Sequence, residues 1–312
     1  MKLIIQIPCY NEEVALPVTL SQLPTHIDGI DEIEVLISDD FSSDRTIEIA
    51  KEYGVKHIVT TTHHRGLAKT FLFGLQKAIE EGADIIVNTD ADNQYCADDI
   101  EKLVKPILEK KADIVIGARP INDIKEFSPL KKFLQFLGSK VVRLLSATST
   151  IDAPSGFRAF SRDAALSINV FDNYTYTIET VIQSKTKGLH IMSVPIRVNS
   201  CFRKSRLVKN IFTYIRRNSF TILRMFIIYR PFRFFAIIGG VTLSLGLLLL
   251  GRFLYFYLFD MGNGHIQSLI FASILIITGF QTCIFGILAD LLAINRKLIE
   301  DVQVRTKKLE NK

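Results

Sequence analysis

Two long stretches without a charged side chain constrain this 312-residue chain more than any other feature. Phe234 to Gly251 runs for 18 residues and Ile266 to Ala289 for 24. About 20 apolar residues are enough for a helix to cross a bilayer. Arg252 closes the first run and can snorkel to the interface. The join, Asp260 to His265, contains no Lys or Arg, whereas both outer flanks are rich in them. The bias of positive charge toward the cytoplasm then predicts a two-span hairpin with both termini inside. A hairpin buried in a soluble protein is the alternative.

Charge placement points the same way. The net charge is +6, yet Phe202 to Arg233 alone holds nine Lys and Arg and no acid. The remainder therefore sums to −3 (+6 minus +9). A basic block beside apolar runs suits an anionic membrane surface. Nucleic acid is not expected as a partner, because no nucleic-acid motif accompanies the block. Leu207 to Tyr229 mixes bulky apolar residues with cations, as an interfacial helix does. The four cysteines lie far apart and form no C-x-x-C pair, which argues against a disulfide framework or zinc site. The chain starts on a strand-like run without a signal peptide, so the globular part is expected in the cytosol.

The first two thirds alternate strand and helix. Strands are predicted at Lys2–Pro8, Ile33–Ser38, Val55–Thr60, Ile85–Thr89, Asp113–Gly117 and His190–Asn199. Helices are predicted at Glu12–Leu23, Arg45–Tyr53, Gly66–Glu81, Ala97–Lys110, Ser128–Ser146 and Tyr174–Lys187, with Ser42, Ser43 and Asp44 as N-caps of the second. Such alternation implies an α/β fold with a mostly parallel sheet covered on both faces. The expected division is a domain over 1–206, interfacial helices over 207–231, spans over 232–258 and 266–292, and a charged tail over 293–312.

Polar clusters fall at the strand ends, where open α/β sheets bind ligands. The strand from Ile85 runs into Asp90, Asp92 and Gln94. Two carboxylates and an amide oxygen make a hard donor set, suited to Mg²⁺ or Mn²⁺ shared with phosphates. A solvated Asp-rich turn is the bland reading of that triplet taken alone. Arg65, Gly66 and Lys69 lie where a loop enters a helix, a place where N–H groups and cations can meet phosphate.

Five motifs stand in a telling order: Pro8-Cys-Tyr-Asn-Glu12, Asp39-Asp-Phe-Ser-Ser-Asp-Arg-Thr46, Asp90-Ala-Asp-Asn-Gln94, Gly117-Ala-Arg119 and Asp152…Ser155-Gly-Phe-Arg158. In this the chain resembles the family 2 glycosyltransferases of GT-A (Rossmann-like) fold. More narrowly it is similar to the polyprenyl-phosphate glycosyltransferases, the group of dolichol-phosphate mannose synthase and undecaprenyl-phosphate glucosyltransferases. The resemblance covers about Met1 to Arg206.

It implies an inverting, metal-dependent transfer of one sugar from a nucleotide sugar to a polyprenyl phosphate at the cytoplasmic membrane face. UDP-sugar is favoured as donor, with GDP-sugar possible. Pro8, Tyr10, Glu12, Asp39 and Asp40 match nucleoside-binding positions, with Gly66, Lys69 and Asp90 toward the diphosphate. Asp90, Asp92 and Gln94 match the metal triplet. Asp92, Arg119 and Asp152 are the implied catalytic group, Asp152 as base or as a positioning residue. Arg203, Lys132, Arg158 and Arg206 are implied at the acceptor phosphate, with Lys204 nearby. The chain has no Trp, so the Q-x-x-R-W motif of processive synthases is absent. Another lipid acceptor, or a non-catalytic nucleotide-sugar-binding membrane protein, are the alternatives. Gly239, Gly240 and Gly246 leave room for close helix packing and a homo-oligomer.

Overall fold

The run Leu3-Ile-Ile-Gln-Ile forms the buried centre of a sheet in the computed structural model, which describes residues 1–120, 151–170, 176–199, 220, 223–224, 226–259 and 266–310. A strand apolar on both faces suits the middle of a parallel sheet covered on both sides. The elements in order are β1 (Lys2–Cys9), α1 (Leu16–Ser21), β2 (Glu32–Asp39), α2 (Thr46–Glu52), β3 (His57–Thr60), α3 (Leu67–Glu80) and β4 (Ile85–Asn88). A 3-10 turn at Ala97–Asp99 then leads into α4 (Ile100–Leu108), followed by β5 (Ile114–Ala118), β6 (Arg158–Ser161), α5 (Arg162–Ser167), α6 (Thr177–Thr186) and β7 (Ile191–Pro195). Two long helices complete the described chain, α7 (Pro231–Phe259) and α8 (Ile266–Glu310).

Strand order is β3-β2-β1-β4-β6-β5-β7. From β1 the chain winds outward through β2 and β3, then returns to the other side of β1 as β4. That reversal is the switch point at which α/β sheets open a ligand crevice at the strands' carboxyl ends. Registers Cys9↔Asp39 and Gln6↔Asn88 set the ends of β1, β2 and β4 beside one another. The expected strands and helices appear within a few residues, with the helix expected at Ser128–Ser146 outside the described residues. One element was not expected. Arg158–Ser161 is a strand antiparallel to both β4 and β5. It is four residues long and begins with an arginine, so no apolar run announces it.

At the amino end of the sheet, Glu34 is buried with Lys2 Nζ at 2.5 Å, His57 Nε2 at 2.9 Å and Lys56 also in contact. Burial alone would raise its carboxyl, but Lys2, Lys56 and His57 outweigh that and bring it down to about 2. The unfolded glutamate titrates near 4.3. The cluster therefore contributes its full stability above about pH 4.5 and loses it as pH falls toward 2. Glu34→Gln should cost about 1–2 kcal/mol at neutral pH. In a thermal melt the difference from wild type should shrink on acidification, and a constant difference from pH 7 to 3 would contradict this assignment.

The described chain falls into two units, Met1–Ile222 with Val304–Lys312, and Leu223–Gln303. In the second, α7 and α8 are long and apolar enough to cross a membrane. Only 11% and 17% of their apolar windows are buried within the protein, so these are not core helices of a soluble fold. Leu248, Phe259, Phe280 and Leu292 are all more than 60% exposed. Exposed apolar surface of this extent marks a face that contacts a membrane or another protein. The helix α8 continues through the charged stretch to Glu310. Gly239 and Gly279 set the closeness of the pair. A Cβ on Gly239 would meet Gly279 O at 2.8 Å, and one on Gly279 would meet Leu243 N at 2.7 Å. Gly246 packs on α8 in the same way, while Gly240 has nothing within 4 Å. Two of the three glycines expected to allow oligomer contacts are thus used inside the hairpin. Most of the interfacial stretch 207–231 lies outside the described residues.

Candidate active site

The loops after β1 and β2 are laced together at the carboxyl edge. Asn11 N donates to Ser42 Oγ (2.9 Å), Ser43 N to Asn11 Oδ1 (2.8 Å) and Glu12 N to Thr46 Oγ1 (2.8 Å). Asp44 Oδ1 accepts from Thr46 N at 3.0 Å, although the N-cap of α2 is Arg45 rather than the expected Ser42, Ser43 or Asp44. Asn11 and Phe41 hold φ of 54° and 63°, a strained region for non-glycine residues and one concentrated at functional sites. This lacing brings Pro8, Tyr10, Glu12 and Asp39 to one crevice edge. Tyr10 is 40% exposed and its ring lies 4.3 Å from that of His64. Asp39 is fully buried; its Oδ2 accepts from Ser42 N at 3.0 Å, and its Oδ1 is a buried acceptor without a hydrogen bond.

Asp40 has a different task. It accepts from Arg65 N at 2.7 Å and Gly66 N at 2.8 Å, and His64 Nδ1 lies 2.8 Å from its Oδ2. It holds the loop entering α3, and the Gly66 N–H expected at a phosphate is already bonded to it. Arg65 lies over the Phe73 ring at 5.2 Å. With His63, Lys69, Leu72 and Gln76 these residues line an open groove of about 740 Å³.

The acidic triplet follows β4 directly. Asp92 Oδ1 accepts from Gln94 N at 3.1 Å, and Asn93 between them has φ 55°. Gly156 abuts Asp90 so closely that a Cβ there would stand 3.1 and 3.2 Å from the two carboxylate oxygens. Burial and the charge of Asp92 push the Asp90 carboxyl up to about 7, against the pull of Arg119 and a hydrogen bond from Tyr95. A cation would relieve that repulsion, and the donors are all oxygen, so the triplet fits Mg²⁺ or Mn²⁺. Among the described residues no three carboxylate, imidazole or thiol groups converge. Further coordination would therefore fall to other oxygens, as in sites shared with phosphates.

Asp152 and Arg119 form one buried unit. Arg119 Nε donates to Asp152 Oδ2 at 2.7 Å and its NH2 to Oδ1 at 3.0 Å, with the Arg119 N–H adding a third bond at 3.3 Å. Asp152 is wholly buried and the Arg119 side chain 9% exposed. Burial works against the guanidinium charge, but Asp152, Tyr95 and Asp90 outweigh it and keep it charged. Both carboxylate oxygens are engaged, which fits a positioning role for Asp152 better than that of a base.

Arg158 does not fit an acceptor-phosphate site. It is fully buried, donating to Ser155 O at 2.8 Å, Ala153 O at 2.5 Å and the Thr180 hydroxyl. Burial pulls its guanidinium down to about 10. It rivets the loop before β6. Lys132, Arg203, Lys204 and Arg206 lie outside the described residues. Sequence reasoning missed Tyr95, whose hydroxyl accepts from Gly156 N at 3.2 Å. It also missed Asn88 and Tyr176, joined at 2.8 Å behind Asp90. Nothing in one sequence marks these, because their partners are 61 and 88 residues away.

Comparison with known proteins places this architecture. Residues 4–168 match the family described as Glycosyl transferase family 2. The chain belongs to that family and is a glycosyltransferase of GT-A fold. It is similar to a UDP-N-acetylglucosamine–dolichyl-phosphate N-acetylglucosaminyltransferase of Methanococcus voltae, 34% identical over 61% of this chain and 83% of the relative. It is 28% identical to an undecaprenyl-phosphate mannosyltransferase of Micrococcus luteus, over 63% of this chain and 83% of that one. Among solved structures, glucosyl-3-phosphoglycerate synthase of Mycobacterium tuberculosis, crystallised with Mn²⁺, UDP and glucosyl-3-phosphoglycerate, superposes with a TM-score of 0.56. It is 19% identical, over 72% of this chain and 78% of that one, a likeness of fold.

Proposed function

We propose that this glycosyltransferase moves one sugar from a UDP-sugar to a polyprenyl phosphate, with inversion, at the cytoplasmic face of a membrane. The observation that carries the reading is the Asp90–Asp92 pair at the switch point of the sheet, in a chain that also bears two exposed apolar helices. Relatives named for dolichyl- and undecaprenyl-phosphate transfer support the acceptor class. The proposed layout is a catalytic domain over 1–206, interfacial helices, two spans and a cytoplasmic tail.

Tyr10 offers a ring for a base to lie on, and the unpaired Oδ1 of Asp39 an acceptor for a base or ribose donor. Asp90, Asp92 and Gln94 would hold a divalent cation, which supplies Lewis-acid stabilisation of the departing diphosphate. Asp152 orients Arg119 and keeps it charged, so the guanidinium stands ready for phosphate. The acceptor phosphate is anionic at neutral pH, so it attacks the anomeric carbon without a strong base. Attack from the side opposite the leaving nucleotide inverts that carbon. The apolar helices would hold the lipid at the surface where the site works, raising its local concentration.

The test is transfer by detergent-purified protein with Mg²⁺ or Mn²⁺, undecaprenyl phosphate and a panel of UDP- and GDP-sugars, the lipid product being detected by mass. Product from one donor, lost on adding EDTA, supports the reading. Product with diacylglycerol but not with polyprenyl phosphate, or nucleotide-sugar binding without turnover, overturns it.

A further inference from the structure

The segment that leaves β7 runs back along the acidic turn and stitches it residue by residue. Tyr95 and Val198 form an antiparallel bridge, and Cys96 N donates to Arg197 O at 3.4 Å. At the end of this stitch, Asn199 N donates to Gln94 O at 2.9 Å. Its side-chain Nδ2 reaches two further carbonyls, Asn93 O at 3.1 Å and Tyr95 O at 3.3 Å. Asn199 thus holds the carbonyls of three successive residues, and the middle one is the residue expected to donate an amide oxygen.

Gln94 is fixed from both sides as a result. Its N–H is on Asp92 Oδ1 and its C=O on Asn199 N. The turn needs such support. Asn93 sits at φ 55°, which a non-glycine residue holds only when its surroundings over-determine it. The base of the stitch is anchored separately. Arg197 N donates to Asp99 Oδ2 at 2.6 Å, and its guanidinium donates to Asp99 Oδ1 at 3.0 and 2.8 Å. Asp99 is fully buried and also meets Lys102 at 2.9 Å. The anchor therefore holds the segment to the domain, the Asn199 side chain reaches the carbonyls of Asn93 and Tyr95, and Thr19 Oγ1 donates to Ala91 O at 2.9 Å earlier in the turn.

We propose that Asn199 is a positioning residue that sets the geometry of the Asp90–Gln94 turn for its divalent cation. The segment 106 positions downstream thereby controls how tightly the turn binds. The proposal rests on the metal reading above. In sequence, Asn199 is followed within four residues by Arg203. The Asn199 backbone N–H holds Gln94 O and its side chain holds the carbonyls on either side, so a displacement of Asn199 reaches the turn through both. Groups that orient metal ligands without touching the metal typically change affinity 10- to 100-fold when removed.

The experiment is Mn²⁺ titration of the full-length protein in detergent with UDP present, free Mn²⁺ being read by its electron paramagnetic resonance signal. Asn199→Asp keeps the shape but has no side-chain donor for the two carbonyls, and Asn199→Ala removes the group. Both should weaken Mn²⁺ binding about 10-fold or more, with saturating binding recovered at high Mn²⁺ and melting temperature little changed. Asp92→Asn serves as the reference for the metal reading. If wild type binds Mn²⁺ and Asp92→Asn does not, yet both Asn199 variants bind as wild type does, the proposal is wrong and the metal reading stands. If the variants only melt earlier, with unchanged affinity of the folded fraction, Asn199 is structural and the proposal is again wrong. If wild type binds no Mn²⁺, both fall together.

Discussion

Asp92→Asn should lower sugar transfer about 100- to 1,000-fold while leaving the fold intact. The substitution keeps the side chain's shape and an oxygen that can still accept from Gln94 N, now 3.1 Å away. It removes one of the two charges available to a cation. It also removes the repulsion that helps push the Asp90 carboxyl up to about 7. Melting temperature should therefore stay level or rise slightly, even as activity disappears. Transfer and thermal melting measured on the same preparation check this. Wild-type activity with unaltered metal dependence would show that the triplet is only a solvated turn.

The Arg119–Asp152 pair should give the largest stability effect in the domain. Asp152→Ala leaves a guanidinium of 9% exposure without its partner, and removing one member of a buried pair costs about 3–5 kcal/mol. Replacing both, as Arg119→Met with Asp152→Leu, takes away the charge and its counter-charge together. Buried pairs exchanged for apolar residues are often neutral for stability, so the double variant should recover most of the loss. It should not recover transfer, because the Arg119 guanidinium no longer faces the phosphates. Thermal melts of the two singles and the double, beside transfer by each, separate the two roles. A double variant that transfers sugar normally would remove Arg119 from the mechanism. One as unstable as Asp152→Ala would mean that the pair's hydrogen bonds to the backbone matter more than charge balance.

Which arginine closes on Asp152 was decided in space. Arg158 lies six positions beyond Asp152 and shares its motif, which makes it the natural partner on paper. In the fold, β6 turns Arg158 inward against Thr180 and the loop carbonyls, while Arg119, 33 residues upstream, closes on Asp152. Likewise Asp40 looked like part of the nucleoside site because it follows Asp39. One step along a strand end reverses the direction of a side chain. Asp39 keeps a buried oxygen unpaired, whereas Asp40 is consumed by the backbone of Arg65 and Gly66.

The local signals were legible for plain physical reasons. Apolar runs of strand length ending in polar residues specified β1, β2 and β4 and their polar edge. Charge-free runs of membrane-spanning length specified α7 and α8. Each depends only on neighbours in the chain, so each is written in composition and period. Tertiary structure alone decided which carboxylate pairs with which cation, that a four-residue strand enters antiparallel between β4 and β5, and that Asn199 closes on the acidic turn. Those outcomes rest on hydrogen bonds across tens of residues, whose cost in chain entropy is met by the packing of the whole sheet rather than by any local stretch.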